Sequence, residues 1–320
     1  MNLAHRPRQY MAEQFDVPLS VVSNLLLGAC PERASEFEVF WEQFEPRFAL
    51  KQDGTGLAIS ARGNKVSWMH KTFAHDWVVT FAGFKALAAY GPHVLFGEAL
   101  SGEISTQTLG GDEGLRTAEE ELDALLYFAK QIQLVSDLDA LDWPTEVPRP
   151  GTSREALASV EDQACFDIAC LAAAATFLHE VRHVQFAAEG DAPTVPADEE
   201  HACDDFSRTM LLEKVDAYSS STGEAADRVA SKRVIGLASA ALTIAQAESQ
   251  NMANAVKDTH PPTRERFVRL VLEADVAESA TCWSYTACLL IALLRAHSKL
   301  PQKVQFVSPK HLCQKLVALL

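Results

Sequence analysis

The segment Phe177-Leu178-His179-Glu180-Val181-Arg182-His183-Val184-Gln185-Phe186 places two histidines and a glutamate inside an otherwise apolar stretch. It lies within residues 154–188, which carry one long helical pattern. Gly190 and Pro193 follow, and these residue types commonly end helices. We therefore predict a long buried helix with the polar motif near its C-terminal end.

Histidines four residues apart on a helix project from the same face, one turn above the other. At this spacing the imidazoles of His179 and His183 can bind one tetrahedral Zn²⁺, and Glu180 can take a proton from a water molecule that the metal activates. Polar side chains in a buried helix are costly unless something satisfies them, and a metal would do so. The motif thus predicts a zinc site with Glu180 as general base. An accidental match in a structural helix is the alternative.

A third ligand is expected from the acidic segment that follows the loop at 189–197. This segment, DEEHACDDF at 198–206, opens a new helix, and Glu200 lies 17 residues after His183. The loop and one helical turn can return the Glu200 carboxylate to the histidines and complete a His₂Glu site with an open fourth position. Asp204, one turn further on, can accept a hydrogen bond from a ligand histidine. The acids could instead only stabilise a helix N-terminus.

Other third ligands fit less well. An extended HExxHxxGxxH motif needs glycine at position 186 and histidine at position 189, where this chain has Phe186 and Glu189. Glu189 could bind the metal only if the helix ended early. His201 is adjacent to Glu200, so only one of the two can face the metal. Glu200 is favoured because it lies four residues before Asp204 on the same helix face.

A further polar segment, THPPTRERF, occupies residues 259–267. Its prolines fit the start of a helix, which explains part of the segment without any function. In a peptidase, His260 or Arg266 could instead donate a hydrogen bond to the oxyanion of the tetrahedral intermediate, or orient the acidic ligand helix. Both residues are therefore candidate catalytic groups.

Taken in order, HEVRH at 179–183, EHACD at 200–204 and THPPTRER at 259–266 resemble the motifs of the gluzincin zinc peptidases. The resemblance is strongest to the phage-exclusion Lit-type peptidases. It covers roughly residues 155–275 and depends on these three short motifs. Residues 1–140 carry no independent resemblance.

The resemblance implies a role for each matching residue: zinc ligands at His179, His183 and Glu200, general base at Glu180, a partner of the ligands at Asp204, and a supporting turn at His260 and Arg266. It also implies a protein substrate, because Lit-type peptidases cleave the host elongation factor Tu on phage infection. Transfer of that substrate to this chain is analogy alone. The sequence departs from the family at Cys203, where alanine is usual.

The amino-acid composition argues against some classes of binding partner and favours one cellular compartment. The formal net charge is −15, and so acidic a surface repels phosphate backbones and anionic lipid, which argues against a nucleic-acid partner. The best candidate for a membrane span, 282–294, has 13 residues where about 20 are needed, so no span is predicted. Seven cysteines, an odd number without a CxxC pair, favour free thiols in a reducing compartment and a cytoplasmic location.

The segment Leu27–Cys30 has the form of a lipoprotein cleavage box. However, Glu13 and Asp16 precede it, where a signal peptide needs positive charge. An amphipathic helix that packs on the core is the favoured interpretation, with lipidation as the alternative.

The patterns along the chain predict an α+β fold, in which a mostly α-helical zincin-like peptidase region is joined to a small antiparallel sheet in the N-terminal part. Short runs of β-forming residues predict the strands, at 48–50, 56–60 and 77–81. Helical patterns outside the motif helix lie at 18–30, 33–46, 113–138, 198–218, 224–250, 262–274 and 280–297.

A proline-rich segment at 143–153 is the candidate domain boundary. It divides the chain into an N-terminal region at 1–142, for gating or substrate recognition, and a helical zinc peptidase domain at 143–320. The sequence as a whole predicts a zinc endopeptidase that hydrolyses peptide bonds of a protein or peptide substrate, in phage defence or regulated proteolysis. The alternative is a catalytically inactive peptidase fold that acts as a binding or sensor module, although such a site would not need Glu180.

Overall fold

The fold is known from a computed structural model that describes residues 14–52, 54–110, 113–151, 153–251 and 261–320. The helices in these ranges are α1 (Leu19–Ala29), α2 (Ala34–Phe44), α3 (His70–Phe96), α4 (Thr106–Gly110), α5 (Glu113–Leu134), α6 (Val160–Glu189), α7 (Pro196–Leu212), α8 (Val215–Thr222), α9 (Ala226–Asn251), α10 (Thr263–Phe267), α11 (Thr281–Ala296) and α12 (Pro309–Val317). The strands are β1 (Gln14–Val17), β2 (Arg47–Lys51), β3 (Ile59–Arg62), β4 (Lys65–Met69), β5 (Glu103–Ser105) and β6 (Lys303–Gln305).

The described chain is mostly helical and carries a small four-stranded sheet, which confirms the predicted α+β class. The sheet has the strand order β1-β2-β4-β3. It is mixed and not purely antiparallel as predicted, because β2 and β4 run parallel. β3 and β4 form a hairpin, and the second strand of that hairpin inserts beside β2, which forces the parallel pair.

The run at 77–81 is helical, so its prediction as a strand was wrong. It lies inside α3, and every residue from Trp77 to Phe81 is buried there. A helix that is buried on all sides shows no alternation between polar and apolar residues, and a short β-branched and aromatic run within it looks like a buried strand.

The motif helix α6 lies at the centre of the molecule, packed against α3, α7 and α9. Gly236 of α9 makes one of these contacts possible, because a Cβ atom there would lie 2.5 Å from the Cβ of Leu171 on α6. Helix α3 packs in turn against α5 and α11. A single hydrophobic core joins residues from both sides of the proposed boundary at 143–153. The two-domain division remains a prediction.

An aromatic cluster joins the sheet to α6 immediately before the motif. The ring of Phe177 lies 4.9 Å from that of Trp68 on β4, 5.3 Å from that of Phe73 on α3 and 6.1 Å from that of Phe48 on β2. Because Phe177 precedes His179 by two residues, these contacts fix both the height and the rotation of the motif relative to the sheet.

Both ends of α6 follow local rules. The side chain of Ser159 accepts a hydrogen bond from the backbone N–H of Asp162, so the helix begins six residues later than the sequence pattern predicts. At the other end Gly190 adopts a left-handed conformation with φ of 70°, which favours glycine. Pro196 then occupies the first position of α7.

Among the described helices, α6 has the length and apolar composition of a membrane span, although the sequence analysis identified no such segment. Of its most apolar stretch, 72% is buried inside the fold, as is typical of a core helix. All seven cysteines are free thiols, and all except Cys170 are buried.

Candidate metal centre and active site

His179 and His183 project from one face of α6 toward α7. Their Nε2 atoms lie 3.3 Å apart, and their ring centroids are separated by 5.0 Å. His179 is almost completely buried, with 4% of its surface exposed, whereas His183 is partly accessible. The histidine pair therefore lies at the edge of the core, where one ring is held rigidly and the other reaches solvent.

Glu200 on the first turns of α7 faces both rings. Its Oε2 atom lies 3.2 Å from Nε2 of His179, and its Oε1 atom lies 3.4 Å from Nε2 of His183. Two ligand atoms of a tetrahedral zinc with bonds of about 2.0–2.1 Å lie about 3.3 Å apart. The two Nε2 atoms are 3.3 Å apart, as that geometry requires, and a different oxygen of Glu200 lies next to each of them, at 3.2 and 3.4 Å, so the donor set fits a zinc ion.

Cys203 adds a fourth potential ligand on the same face of α7. Its thiol sulfur and one ring nitrogen each of His179 and His183 all lie within 4.8 Å of one another. Burial raises the pKa of the Cys203 thiol to about 12. The thiol is therefore protonated in the metal-free protein at neutral pH.

Asp204 and Arg266 form a buried ion pair behind the histidines. The carboxylate of Asp204 is fully buried and lies 3.0 Å from Nδ1 of His179. Arg266 donates two hydrogen bonds to it, from Nε at 2.9 Å and from Nη2 at 2.7 Å. Burial opposes ionisation of Asp204, yet the charge of Arg266 keeps the pKa of its carboxyl below the usual range. Asp204 thus remains an anion that can hold the His179 ring in place.

Glu199 holds the second histidine in the same manner. Its Oε1 atom lies 2.7 Å from Nδ1 of His183. A carboxylate on the far nitrogen of a ligand imidazole fixes the ring orientation and directs the Nε2 lone pair toward the metal. Each histidine therefore has its own carboxylate, Asp204 for His179 and Glu199 for His183.

The surrounding acids hold protons on both imidazoles when no metal is bound. Burial alone would lower the pKa of His179, but Asp204 and Glu200 accept hydrogen bonds from it and raise the pKa to about 9. Burial also opposes protonation of His183, and Glu200 with the charge of Glu180 raises its pKa to about 9. A metal that binds here must displace these protons.

Glu180 is buried beside the histidines, with 7% of its surface exposed. Lys51 at the end of β2 is within its electrostatic reach: burial lowers the pKa of Lys51, and the negative charge of Glu180 opposes that effect. Lys51 also donates a hydrogen bond to the hydroxyl of Ser60 on the edge strand β3. The general-base candidate therefore faces the side of the site that the sheet borders.

A model of the family described as Peptidase U49 matches residues 66–286, which is more than half of the chain. The chain belongs to the peptidase U49 family. It is accordingly an enzyme that hydrolyses peptide bonds. No curated protein and no solved structure matches the chain.

The region matched by the peptidase family contains every predicted site residue: His179, Glu180, His183, Glu200, Asp204, His260 and Arg266. The structure brings six of them together in this peptidase, while His260 lies outside the described residues. Arg266 is 3% exposed and contacts Asp204, so its position suits orientation of the ligand helix. Glu200 points at the histidines, whereas the neighbouring His201 lies 3.8 Å from Glu265 on α10.

Two contacts of the peptidase site were missed by sequence reasoning. Glu199 was attributed to a helix N-terminus, and Cys203 was considered only as a replacement for a small apolar residue. The spacing of Glu199, Glu200 and Cys203 does show that they crowd one part of α7, but which of them turn inward depends on the rotation of α7 against α6. Ser207 fixes that rotation by donating a hydrogen bond to the carbonyl of Ala175 at 2.9 Å.

Proposed function

We propose that this U49 peptidase is a zinc-dependent endopeptidase, with the metal held by His179, His183 and Glu200. The observation that carries the proposal is the convergence of the three side chains: the two Nε2 atoms lie 3.3 Å apart, and the Glu200 carboxylate contacts both of them, Oε2 at 3.2 Å from His179 and Oε1 at 3.4 Å from His183. Three protein ligands leave a fourth position open, which is the arrangement of catalytic zinc sites. A zinc ion bound there supplies a Lewis acid that polarises the scissile carbonyl and lowers the pKa of water.

The side chains around the proposed metal have separate roles in the reaction. Glu180 accepts the proton of the attacking water and transfers it to the leaving amine. Asp204 and Glu199 each accept a hydrogen bond from Nδ1 of a ligand histidine, so both Nε2 lone pairs face the same point. Arg266 neutralises the buried charge of Asp204 and thereby holds α7 in position.

The proposal predicts that Glu180→Gln abolishes cleavage and retains the metal. Loss of a general base typically lowers kcat by about 10²–10⁴-fold, whereas the ligand set is unchanged. Cleavage of denatured casein and zinc content by atomic absorption would be measured on the same preparation. Glu189→Gln is the matched control, because it makes the same change at an exposed position at the end of α6.

Each result has a definite meaning. Wild-type activity in Glu180→Gln would refute Glu180 as general base. Absence of stoichiometric zinc from an active wild-type enzyme would refute the metal mechanism. Loss of activity in Glu189→Gln as well would show that the first variant reports a general loss of structure.

We extend the proposal to a protein substrate in the cytoplasm and to a role in phage defence of the Lit type. The support is the order of the three motifs at 179–183, 200–204 and 259–266. Cells that express the wild type are expected to resist phage and to show new protein termini on infection, while cells with Glu180→Gln show neither. Equal phage yields with wild type and variant would contradict the defence role, and equal sets of termini would contradict a protein substrate.

A further inference from the structure

The inner face of α7 carries more potential ligands than a catalytic zinc site uses. Glu200, Cys203 and Asp204 are all buried on this face, and Cys203 has no exposed surface. All seven cysteines lie in the part of the chain that the structure describes. Of these seven, only Cys203 belongs to a cluster of possible metal ligands, which it forms with His179 and His183. Its thiol is therefore placed differently from the other six, of which five are buried in the core and Cys170 is partly exposed.

The thiol of Cys203 lies close enough to both histidines to share a metal with them. The sulfur of Cys203 and a ring nitrogen of each histidine lie within 4.8 Å of one another. In a tetrahedral site, a sulfur at about 2.3 Å and a nitrogen at about 2.1 Å from the zinc lie about 3.6 Å apart. The sulfur therefore has to approach the ring nitrogens by no more than about 1.2 Å, the difference between 4.8 and 3.6 Å.

We infer that Cys203 is a fourth ligand of the metal and closes the site in a resting state. This inference rests on the zinc site proposed above. Four protein ligands complete a tetrahedral site, as in structural zinc centres, whereas catalysis requires one open position. Peptide hydrolysis would then require the Cys203 side chain to turn away from the metal; a water molecule would take the vacated position, and the released thiolate would be protonated by solvent.

Helix α7 can supply the ligands of both the closed site, with Cys203 bound, and the open site, without it. Glu200 and Cys203 are three residues apart, so both side chains project from neighbouring positions on α7. Asp204 and Arg266 hold the helix itself through two hydrogen bonds. These bonds hold α7 in place, so the change that we infer is confined to the Cys203 side chain.

Cobalt(II) substitution tests the inference without depending on activity. Cobalt occupies tetrahedral zinc sites and shows visible d–d bands, and a thiolate ligand adds a sulfur-to-metal charge-transfer band in the near ultraviolet. Four proteins would be compared: wild type, Cys203→Ala, Cys203→Ser, which keeps the side-chain size, and Cys165→Ala. The last is the matched control, since it removes a buried thiol of α6 that lies 14 residues before His179, about 21 Å along the helix.

The expected result is a charge-transfer band in wild type and Cys165→Ala that is lost in both Cys203 variants, with d–d bands in all four. Tetrahedral d–d bands without a charge-transfer band in wild type would overturn the inference and leave the His₂Glu site intact. Failure of wild type to bind cobalt or zinc would overturn the proposed metal centre together with the inference.

A titration with acetohydroxamate tests whether the Cys203 thiol blocks the fourth position on the metal. Acetohydroxamate binds metals through two oxygens and needs a vacant position. It is expected to bind cobalt-loaded Cys203→Ala at least severalfold more tightly than cobalt-loaded wild type, and to remove the charge-transfer band of wild type as it binds. Equal affinities for the two proteins would overturn the resting-state role.

Discussion

Asp204 connects the proposed metal centre to α10 through its contacts with His179 and Arg266. The Asp204 carboxylate lies between Nδ1 of His179 and the guanidinium of Arg266. Asp204→Asn keeps the size of this side chain and removes its charge. Loss of such a partner typically lowers metal affinity by about 10–100-fold. We expect that fall in a zinc competition assay with a fluorescent chelator.

Asp205→Asn is the control for this change. Asp205 is the next residue, and it pairs with Arg269 at 2.9 Å and not with either histidine. A zinc affinity in Asp204→Asn equal to that of the wild type would contradict the orienting role, and an equal fall in both variants would indicate a general effect on α7.

Asp76, a residue outside the site, predicts a pH dependence of stability. It is 1% exposed in α3, and burial raises its pKa to about 7, which the hydroxyl of Thr243 opposes only in part. A carboxyl whose pKa is higher in the folded state stabilises the fold only while protonated, so this contribution is complete below about pH 4 and is lost as the pH rises to about 7. Asp76→Asn imitates the protonated form at every pH.

The free energy of unfolding of Asp76→Asn should therefore exceed that of the wild type by an amount that grows with pH. Between pH 5 and pH 8 the difference should increase by about 3 kcal/mol. Urea denaturation of both proteins at the two pH values measures it. A difference that stays constant, or shrinks, would show that Asp76 does not ionise in this range.

For single residues, the sequence predicted those side-chain positions that follow from spacing within one helix. The convergence of His179 and His183 follows from their four-residue separation, because helix geometry alone places them on one face. The inward positions of Glu199 and Cys203 could not be predicted in this way, since they depend on how α7 is rotated against α6. His260 remains a prediction.

The contact between α6 and α9 leaves no room for a side chain at Gly236. In Gly236→Ala the added Cβ would lie 2.5 Å from the Cβ of Leu171 and 3.2 Å from its backbone carbon. The helices must separate, and overpacking of this kind costs about 1–3 kcal/mol of unfolding free energy. We expect a lower Tm and weaker zinc binding, because α6 carries both histidines.

Gly28→Ala is the matched control, since nothing lies within 4 Å of a Cβ at this position in α1. Alanine there should leave the Tm unchanged or raise it, because alanine favours a helix over glycine. A Tm for Gly236→Ala that equals or exceeds that of Gly28→Ala would refute the close contact.

The elements themselves were predicted unevenly, for a physical reason. Helices with one polar face, such as α5, were recognised because their periodicity is visible in the sequence. Helix α3 was partly misread as a strand because the residues around Trp77 are buried on every side. The parallel pairing of β2 with β4 is a long-range choice that no local pattern records.

For the whole molecule, a bound metal should contribute to stability as well as to catalysis. A ligand that binds only the folded state adds about 4 kcal/mol at a thousandfold excess over its Kd. Treatment with a chelator should therefore lower the Tm, and addition of Zn²⁺ should restore it. His183→Ala should show no such shift, whereas a shift of equal size in that variant would locate the metal elsewhere.

The connection between α6 and α7 has a consequence for the order of folding. Six residues, 190–195, separate the two helices, so the histidines and Glu200 belong to one α-hairpin that is continuous in the chain. Contacts that are close in sequence form quickly, while the parallel β2–β4 pair must first close around the β3 hairpin. If the proposed metal binds, the ligands on this hairpin come together early in folding, and the ion would then serve as a nucleus on which the later elements assemble.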